Sequence, residues 1–257
     1  MQIVSAVTSC MDRFPNLLPI TIESLARARL DDFLLVSVDG LPLDHHSFAT
    51  VVTSPSTTDF VARPKPLGLV GNWLMTALEL FVRHPLAERY CIFQDDVVVD
   101  PDLKAAIAAT QLDKKYINLS WASDNEKSAA SVPIGNGACG LVFDRAGLLA
   151  CLGDLNVLAK PCASGKNKST GLDFSIALAM RNQGYTEQVF PEPMLAHTGE
   201  QSTIANKRWQ IDHELVDSFT KEQTPSTSAS GNSLAPPDGN VEGVSNPSDA
   251  NETEEED

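Results

Sequence analysis

Short apolar runs alternate along the chain with segments whose apolar residues recur at helical spacing, and this alternation limits the choice of fold more than any other feature. "QIVSAVTS" and "DFLLVSVDG" have the composition of buried strands, and between them Leu18, Ile22 and Leu25 share one helical stripe. Strands that alternate with helices predict an α/β fold, with a mostly parallel central sheet and helices on both faces. Ligands of such folds gather at the carboxyl ends of the strands.

The alternation continues after Gly40, where we predict a polar crossover and then a long helix, "GLVGNWLMTALELFVRH". Leu74, Ala77, Leu78 and Phe81 form the expected buried stripe of this helix. The later segments predict a strand in "YCIF", a short helix in "DPDLKAAIAAT", a strand in "KYINLSW", a loop, strand and helix in "GNGACGLVFDRAGLLACL", a helix in "GLDFSIALAMRNQGY" and a last strand in "EQVFPEPMLAHTGEQST".

The acidic residues are unevenly distributed and divide the chain into a body and a tail. The 257 residues include 34 acidic and 19 basic ones, but the stretch from Glu222 to Asp257 holds nine carboxylates and no Lys or Arg. This stretch has few large apolar side chains, so burial cannot offset its ordering entropy. We therefore expect one domain over residues 1–215 and a disordered acidic tail over residues 216–257, acting as an interaction segment or as a solvated linker.

The composition also indicates where the protein works. No run of 18 apolar residues occurs, and the apolar start "MQIVSAVTSC" lacks a basic flank and a small-residue cleavage site. The five cysteines form no C-x-x-C pair, which is typical of reduced cysteines in the cytosol. We therefore expect a cytoplasmic protein that does not insert into membranes.

Polar side chains follow several of the predicted strands. Thr8 and Arg13 follow the first, Asp39 ends the second, and Asp95 and Asp96 come directly after "YCIFQ". Because the carboxyl ends of parallel strands share one edge, these side chains are expected to converge there. The Asp pair could bind a hard divalent cation together with substrate phosphates, or it could simply form a turn at the strand end.

Two other motifs lack the context that their functions require. "GNGACG" matches the dinucleotide-binding pattern, but it precedes a predicted strand instead of following one and opening a helix. An acidic pair also occurs in response-regulator receiver domains, but there it ends the first strand, and here some 90 residues precede it. The glycines are better explained by a turn or by close approach of the backbone to a sugar.

Two further residues each allow a structural and a functional interpretation. His197, in "LAHTGEQST", is either an imidazole hydrogen-bonded within the fold or a metal ligand. Asp173, in "GLDFSIA", either interacts with the positive end of a helix dipole or takes part in chemistry.

Taken together, the order of these parts resembles that of a nucleotide-sugar-dependent glycosyltransferase with the GT-A fold, in a family-two-like arrangement. The resemblance covers roughly residues 1 to 210 and consists of an acidic pair at a strand end, a Gly-rich loop before a strand, an Asp that opens a helix, and "HTGEQS" after the last strand. The acidic motif departs from the usual D-x-D form, because Gln94 occupies its first position. Gln94 is therefore not expected to act as a carboxylate ligand.

The resemblance implies a role for each candidate residue. Thr8, Arg13, Asp39 and, more weakly, Asn72 would frame the nucleotide of the donor, and Asp95 would face the ribose or the sugar. Asp96 and His197 would bind Mn²⁺, or alternatively Mg²⁺; the imidazole favours Mn²⁺. Asp173 would be the general base that takes the proton of the acceptor hydroxyl in an inverting transfer. In a retaining transfer, which the sequence does not separate from an inverting one, Asp173 would instead bind the acceptor or stabilise the oxocarbenium-like centre. The implied donor is a nucleoside-diphosphate sugar, with a UDP-sugar as the first candidate.

Other functions stay open at the level of the sequence. A sugar nucleotidyltransferase would also use an α/β sheet and a metal ion, although "TSCMDRFPN" lacks the glycines expected in its signature loop. A catalytically inactive module that binds nucleotide sugars or glycans is a third possibility. The acceptor is not specified: a glycan, a protein or a nucleic acid would each be compatible, including DNA-base glycosylation of the phage type, although the body has no basic stripe.

Overall fold

A computed structural model of the chain describes residues 1–14, 16–42, 58–120, 137–158, 172–198 and 213–220. The described residues form nine strands and six helices. The strands are β1 (Ile3–Cys10), β2 (Leu34–Asp39), β3 (Thr58–Arg63), β4 (Arg89–Gln94), β5 (Val97–Val99), β6 (Lys115–Asn118), β7 (Gly140–Phe143), β8 (Thr186–Gln188) and β9 (Leu195–His197). The helices are α1 (Leu18–Arg27), α2 (Gly68–Arg83), α3 (Leu103–Ala109), α4 (Arg145–Leu158), α5 (Leu172–Asn182) and α6 (His213–Thr220).

Seven of the described strands form one sheet in the order β3-β2-β1-β4-β7-β6-β8. The pairs β2–β3, β1–β2, β1–β4 and β6–β8 are parallel, and β7 runs antiparallel to both of its neighbours. The predicted mostly parallel α/β sheet is therefore confirmed. Because β7 is reversed, its first residues lie at the same edge as the carboxyl ends of β4 and β6.

Helices cover both faces of the sheet, as the sequence predicted. On one face Leu18 and Leu25 of α1 and Leu103 of α3 pack against the strands, and on the other face α2, α4 and α5 do so. Strand β1 is buried along nearly its whole length, which explains why its sequence is almost continuously apolar. Each large aliphatic or aromatic side chain buried in this way contributes about 1.5–3 kcal/mol relative to full exposure.

Strand β3 lies in the segment after Gly40 for which the sequence predicted a polar crossover and no strand. Residues Thr58–Arg63 pair with β2 in parallel register, from Leu34↔Thr58 to Asp39↔Arg63. The strand lies at the edge of the sheet, and its side chains are only partly buried. An edge strand of this kind lacks the apolar run that marks a central strand, which is why the sequence pattern missed it.

The buried face of α2 differs from the predicted stripe by one residue. Trp73, Ala77 and Leu80 are fully buried, whereas Leu78 is 43% exposed. A shift of one residue rotates the face by about 100°. Apolar residues occur all round this helix, so their spacing alone did not determine which of them face inward. Trp73 faces inward, and its indole packs edge-on against Phe143 with ring centroids 6.3 Å apart.

Strands β5 and β9 form a separate antiparallel pair, with Val97 opposite His197. Helix α1 supports β5 through a hydroxyl: Thr21 Oγ1 donates to the Val97 carbonyl at 2.8 Å and accepts from the Val97 N–H at 3.2 Å. The sequence predicted one last strand, but the chain forms two, β8 and β9, in different sheets. Pro191 and Pro193 lie between them and cannot donate to a ladder.

The domain continues past the boundary expected at residue 215. Helix α6 extends to Thr220, where Phe219 packs on Val98 of β5 and Ala196 of β9. The compact unit accordingly spans Met1–Lys221. The predicted disordered tail lies outside the described residues from position 221 onward. Among the helices of the described ranges, none is long and apolar enough to cross a membrane.

Candidate functional site

The acidic pair lies where the chain leaves β4 at the carboxyl edge of the sheet. Asp95 and Asp96 are only 1% and 3% exposed, so both carboxylates are withdrawn from water. Ser9, near the end of the neighbouring β1, donates its hydroxyl to Asp95 Oδ2 at 2.5 Å. Arg13, in the turn after β1, forms ion pairs with both carboxylates, 2.8 Å from Asp95 Oδ1 and in contact with Asp96 Oδ2.

His197 joins this group although it lies about a hundred residues later in the chain. Its Nε2 atom is 2.8 Å from Asp96 Oδ2. The pairing of β5 with β9 explains the contact, because it places Val97 opposite His197 directly after the acidic pair. Thr198 continues the pairing by donating its N–H to the Asp96 carbonyl at 2.9 Å.

The two carboxyl groups differ in their electrostatics. Burial raises the pKa of Asp95 to about 6, and Arg13 and the Ser9 hydroxyl oppose this only in part. Burial alone would raise the pKa of Asp96 as well, but the hydrogen bond and charge of His197, together with Arg13, hold it below the ordinary value. Asp96 is therefore the carboxylate that stays ionised most readily, as a metal ligand must.

The residues around Asp96 fit a divalent cation. Asp96 Oδ1 is buried and has no hydrogen-bond partner within the part of the chain that the structure describes, so one strong acceptor at the site is unsatisfied there. The 2.8 Å between Asp96 Oδ2 and His197 Nε2 is close to the roughly 3 Å between adjacent ligands of an octahedral ion at ~2.1 Å. Within the described ranges no group of three or more His, Cys, Asp or Glu could hold a metal. Asp96 and His197 would leave coordination positions of the ion open to other groups.

Asp39 performs a structural task at the same edge. Its carboxylate accepts the backbone N–H groups of Leu67, at 2.9 and 3.0 Å, and of Gly68, at 2.9 Å. These groups belong to the first turn of α2, so Asp39 caps that helix from a neighbouring strand and faces the positive end of its dipole.

Thr8 and Asn72 are also engaged within the protein. The Thr8 hydroxyl donates to the Phe93 carbonyl at 3.2 Å. Asn72 is buried in α2; its Oδ1 accepts from Ser37 Oγ at 2.8 Å and from Arg63 Nε at 3.1 Å, and its Nδ2 donates to the Ser9 carbonyl at 3.1 Å. These bonds tie α2 to three strands directly beneath the site. Contact of Thr8, Asp39 or Asn72 with a nucleotide stays a prediction.

Asp173 lies in the first turn of α5, on the far side of β7 from Asp96. Its Oδ2 accepts the N–H of Gly137 at 2.9 Å, and Gly137 has the positive φ of 85° that favours glycine. Burial raises the pKa of the Cys139 thiol strongly, and the charges of Asp96 and Asp173 raise it further. Both carboxylates thus act on one thiol at the start of β7, which puts them at the same edge of the sheet.

A shallow recess beside Asp173 has room for about one water molecule, with a volume of about 10 Å³. Glu187 is the second carboxylate in its wall; it accepts the Tyr116 hydroxyl at 2.6 Å and the Asn118 amide at 3.3 Å. Burial raises the pKa of Glu187, and the charge of Asp173 adds to the effect. The recess is lined by Tyr116, Asn118, Gly137, Ala138, Leu141, Asp173, Ile176 and Glu187.

The structure brings Arg13, Asp95, Asp96 and His197 into one contact group, and sets Asp173 apart from it across β7. Sequence reasoning missed Ser9 and Glu187. Ser9 follows Thr8 near the end of β1, and consecutive residues at a strand end can both reach the rim. Its position in the sequence was therefore enough to make it a candidate. Glu187 had no signal, since its role depends on the pairing of β8 with β6.

Comparisons with known proteins inform the fold. No protein-family model matches the sequence, and no curated protein matches it. Among solved structures, the glycosyltransferase GlyE of Streptococcus pneumoniae TIGR4 is similar at a TM-score of 0.52 and 12% identity, over 85% of this chain and 60% of that one. A cytidylyltransferase of Leptospira borgpetersenii serovar Hardjo-bovis (strain JB197) has a TM-score of 0.43 and 10% identity, over 75% and 78%. The chain thus spans less than two thirds of the length of GlyE and shares with it a similar fold.

Proposed function

We propose that the protein is a glycosyltransferase that moves a sugar from a nucleoside-diphosphate sugar to an acceptor hydroxyl with the help of a divalent cation. The observation that carries this proposal is the contact between Asp96 Oδ2 and His197 Nε2, which lie 2.8 Å apart at the carboxyl edge of the sheet. The other carboxylate oxygen, Asp96 Oδ1, is buried and has no hydrogen-bond partner among the described residues. The fold shared with GlyE, which is named as a glycosyltransferase, supports it.

Asp96 and His197 would hold the cation, with Mn²⁺ preferred to Mg²⁺ because one ligand is an imidazole. When bound, the cation would stabilise the negative charge that gathers on the departing nucleoside diphosphate. A set of two protein ligands suits this use, since the oxygens of the diphosphate complete the coordination. We take a UDP-sugar as the first donor to test.

The other residues of the rim have separate tasks in this proposal. Arg13 provides a guanidinium that can pair with phosphate oxygens. Asp95, held by Ser9, faces the ribose or the sugar. Asp39 and Asn72 fix the first turns of α2 and the strand ends beneath the donor. They support the nucleotide site whether or not they contact the base.

Asp173 is the general base in this proposal. It takes the proton from the acceptor hydroxyl as that oxygen forms a bond to the anomeric carbon and the bond to the diphosphate breaks, so the sugar is transferred with inversion. The hydrogen bond from Gly137 orients one of its oxygens.

The proposal is tested by a screen of nucleotide sugars for hydrolysis or transfer, with and without Mn²⁺, on the wild type and on Asp96→Asn. We expect Mn²⁺-dependent release of the nucleoside diphosphate, reduced by a factor of about 100 or more in the variant. Asp113→Asn is the matched control: the residue is exposed and precedes β6, at the opposite edge of the sheet. Undiminished activity in Asp96→Asn would remove that residue from the mechanism.

The released products separate the alternatives. A glycosyltransferase leaves a nucleoside diphosphate, whereas a sugar nucleotidyltransferase run backwards with pyrophosphate leaves a nucleoside triphosphate and a sugar phosphate. A binding module would retain the nucleotide sugar without releasing either product. The last two outcomes would each contradict sugar transfer.

A further inference from the structure

Arg13 lies between the two carboxylates of the site and not beside only one of them. Its Nη2 atom is 2.8 Å from Asp95 Oδ1 and also in contact with Asp96 Oδ2. Because one nitrogen serves both carboxylates, these contacts are not the two-pronged pairing that fixes an arginine on a single carboxylate.

The backbone of Arg13 is fixed, whereas its side chain can move. The Arg13 N–H donates to the Cys10 carbonyl at 3.0 Å, and its carbonyl accepts from Leu17 N–H at 3.0 Å, so the turn between β1 and α1 is hydrogen-bonded on both sides of the residue. The guanidinium stands on a long stem, and its side chain is 19% exposed against 2% and 5% for Asp95 and Asp96. Rotation about the side-chain bonds would free the carboxylates without unfolding the turn.

Arg13 contacts the same oxygen of Asp96 that His197 contacts. Asp96 Oδ2 meets both Arg13 Nη2 and His197 Nε2, and Asp96 and His197 are the residues that fit a cation. A guanidinium and a divalent cation on one buried carboxylate would repel each other strongly, because little water screens them. A cation shared by Asp96 Oδ2 and His197 Nε2 would therefore compete with Arg13 for this oxygen.

We propose that Arg13 is a displaceable counter-ion: it neutralises Asp95 and Asp96 in the free protein, leaves Asp96 when a divalent cation binds, and then pairs with the diphosphate of the donor. This inference rests on the proposed function for the metal ion and the donor. Arg13 would then act as a positioning residue, because it keeps the empty pocket stable and makes metal binding depend on the nucleotide.

The first test measures Mn²⁺ binding to the full chain without nucleotide in the wild type, Arg13→Met and Arg13→Lys. Loss of the competing charge predicts Mn²⁺ binding about tenfold tighter in Arg13→Met, and binding near the wild-type value in Arg13→Lys, which keeps the charge. With UDP present we expect the order of the Mn²⁺ affinities to reverse. Arg13→Met should then bind Mn²⁺ more weakly than the wild type, because it lacks the cation that pairs with phosphate. A purely structural role for Arg13 would instead weaken Mn²⁺ binding in Arg13→Met without nucleotide, and that result overturns the proposal.

The second test uses the wild type alone, so it holds even if Arg13→Met fails to fold. Phenylglyoxal labels exposed guanidinium groups, and peptide mass spectrometry reports each arginine separately. We expect Arg13 to label several-fold faster when Mn²⁺ is added and to be protected again when UDP joins Mn²⁺. Arg83, which pairs with Asp59 on the surface, is the internal control and should not change.

The two tests distinguish this inference from the function on which it rests. If Mn²⁺ binds and the labelling of Arg13 does not change, the counter-ion role is overturned and the proposed glycosyltransferase stands. If the wild type binds no Mn²⁺ with or without UDP, the metal-dependent function fails, and the counter-ion role fails with it.

Discussion

At the scale of single residues, the site is built from side chains whose charges are balanced inside the protein. Asp95 and Asp96 are buried, and three partners, Ser9, Arg13 and His197, compensate them. A carboxylate left without such partners in a buried position is costly. Two carboxylates can therefore be buried directly after an apolar strand because residues in and next to β1 and β9 lie in contact with them.

Asp39 provides a test of its capping role. In Asp39→Ala the N–H groups of Leu67 and Gly68 lose their acceptor, so we expect the free energy of unfolding to fall by about 1–2 kcal/mol, measured by urea denaturation. Asp39→Asn keeps one acceptor oxygen and should lose less. The exposed Asp59→Asn is the control, and equal losses in Asp39→Ala and Asp59→Asn would argue against the cap.

Glu187 gives a pH-dependent prediction. Burial raises its pKa above the ordinary 4.5, so the folded protein binds this proton more tightly than the unfolded chain does. The contribution of the carboxyl group to stability is therefore fully present below 4.5 and is lost as the pH rises through the raised pKa. Glu187→Gln cannot titrate, and we expect the stability of the wild type relative to this variant to decline in paired urea denaturations as the pH rises above 4.5 and through the raised pKa. A difference that does not vary with pH would contradict the shift.

At the scale of secondary structure, the pair β5–β9 brings His197 to Asp96, and α1 supports it. The N–H and the carbonyl of Val97 both hydrogen-bond to the Thr21 hydroxyl. The hydroxyl thus takes the place of a third strand beside β5. Phe219 of α6 packs on Val98 and Ala196 from the chain's later end. The contact between Asp96 and His197 therefore depends on α1 and α6, which contain neither residue.

Thr21→Val tests this support, because valine has the shape of threonine and lacks its hydroxyl. It would leave two buried backbone groups of Val97 without partners, at a cost of about 2–4 kcal/mol in thermal or urea unfolding. We also expect weaker Mn²⁺ binding, although Thr21 is not a ligand. Thr76→Val is the matched control, since the Thr76 hydroxyl only bonds back to Asn72 within α2. A loss no larger than that of the control would mean that α1 does not hold β5.

Much of the fold was predictable from the sequence, for reasons that particular residues illustrate. β1 and β4 are central and buried, so their apolar runs mark them, and the polar residues after them locate the rim. Edge strand β3 is half exposed, and α2 is apolar all round; neither pattern has a unique interpretation. Pairings such as Val97 with His197 connect residues about a hundred positions apart, and no local pattern encodes them.

At the scale of the whole molecule, one compact unit from Met1 to Lys221 contains every residue of the candidate site. We therefore expect a chain that ends at Lys221 to unfold at the temperature of the full chain and to bind Mn²⁺ and UDP equally well. A chain that ends at Gln210 also lacks α6, and it should be less stable because Phe219 no longer covers β5 and β9. Loss of binding on removal of the tail alone would assign the tail a role in the site.

The most direct test of the central claim is calorimetric titration of Mn²⁺ into the full chain in the presence of UDP, for the wild type, Asp96→Asn and His197→Gln. If Asp96 and His197 share one cation with a nucleoside diphosphate, the wild type binds and each variant loses affinity by a factor of about 10–100 or more. Equal Mn²⁺ affinity in all three proteins would contradict the account, because the contact between Asp96 and His197 would then be a hydrogen bond with no part in metal binding.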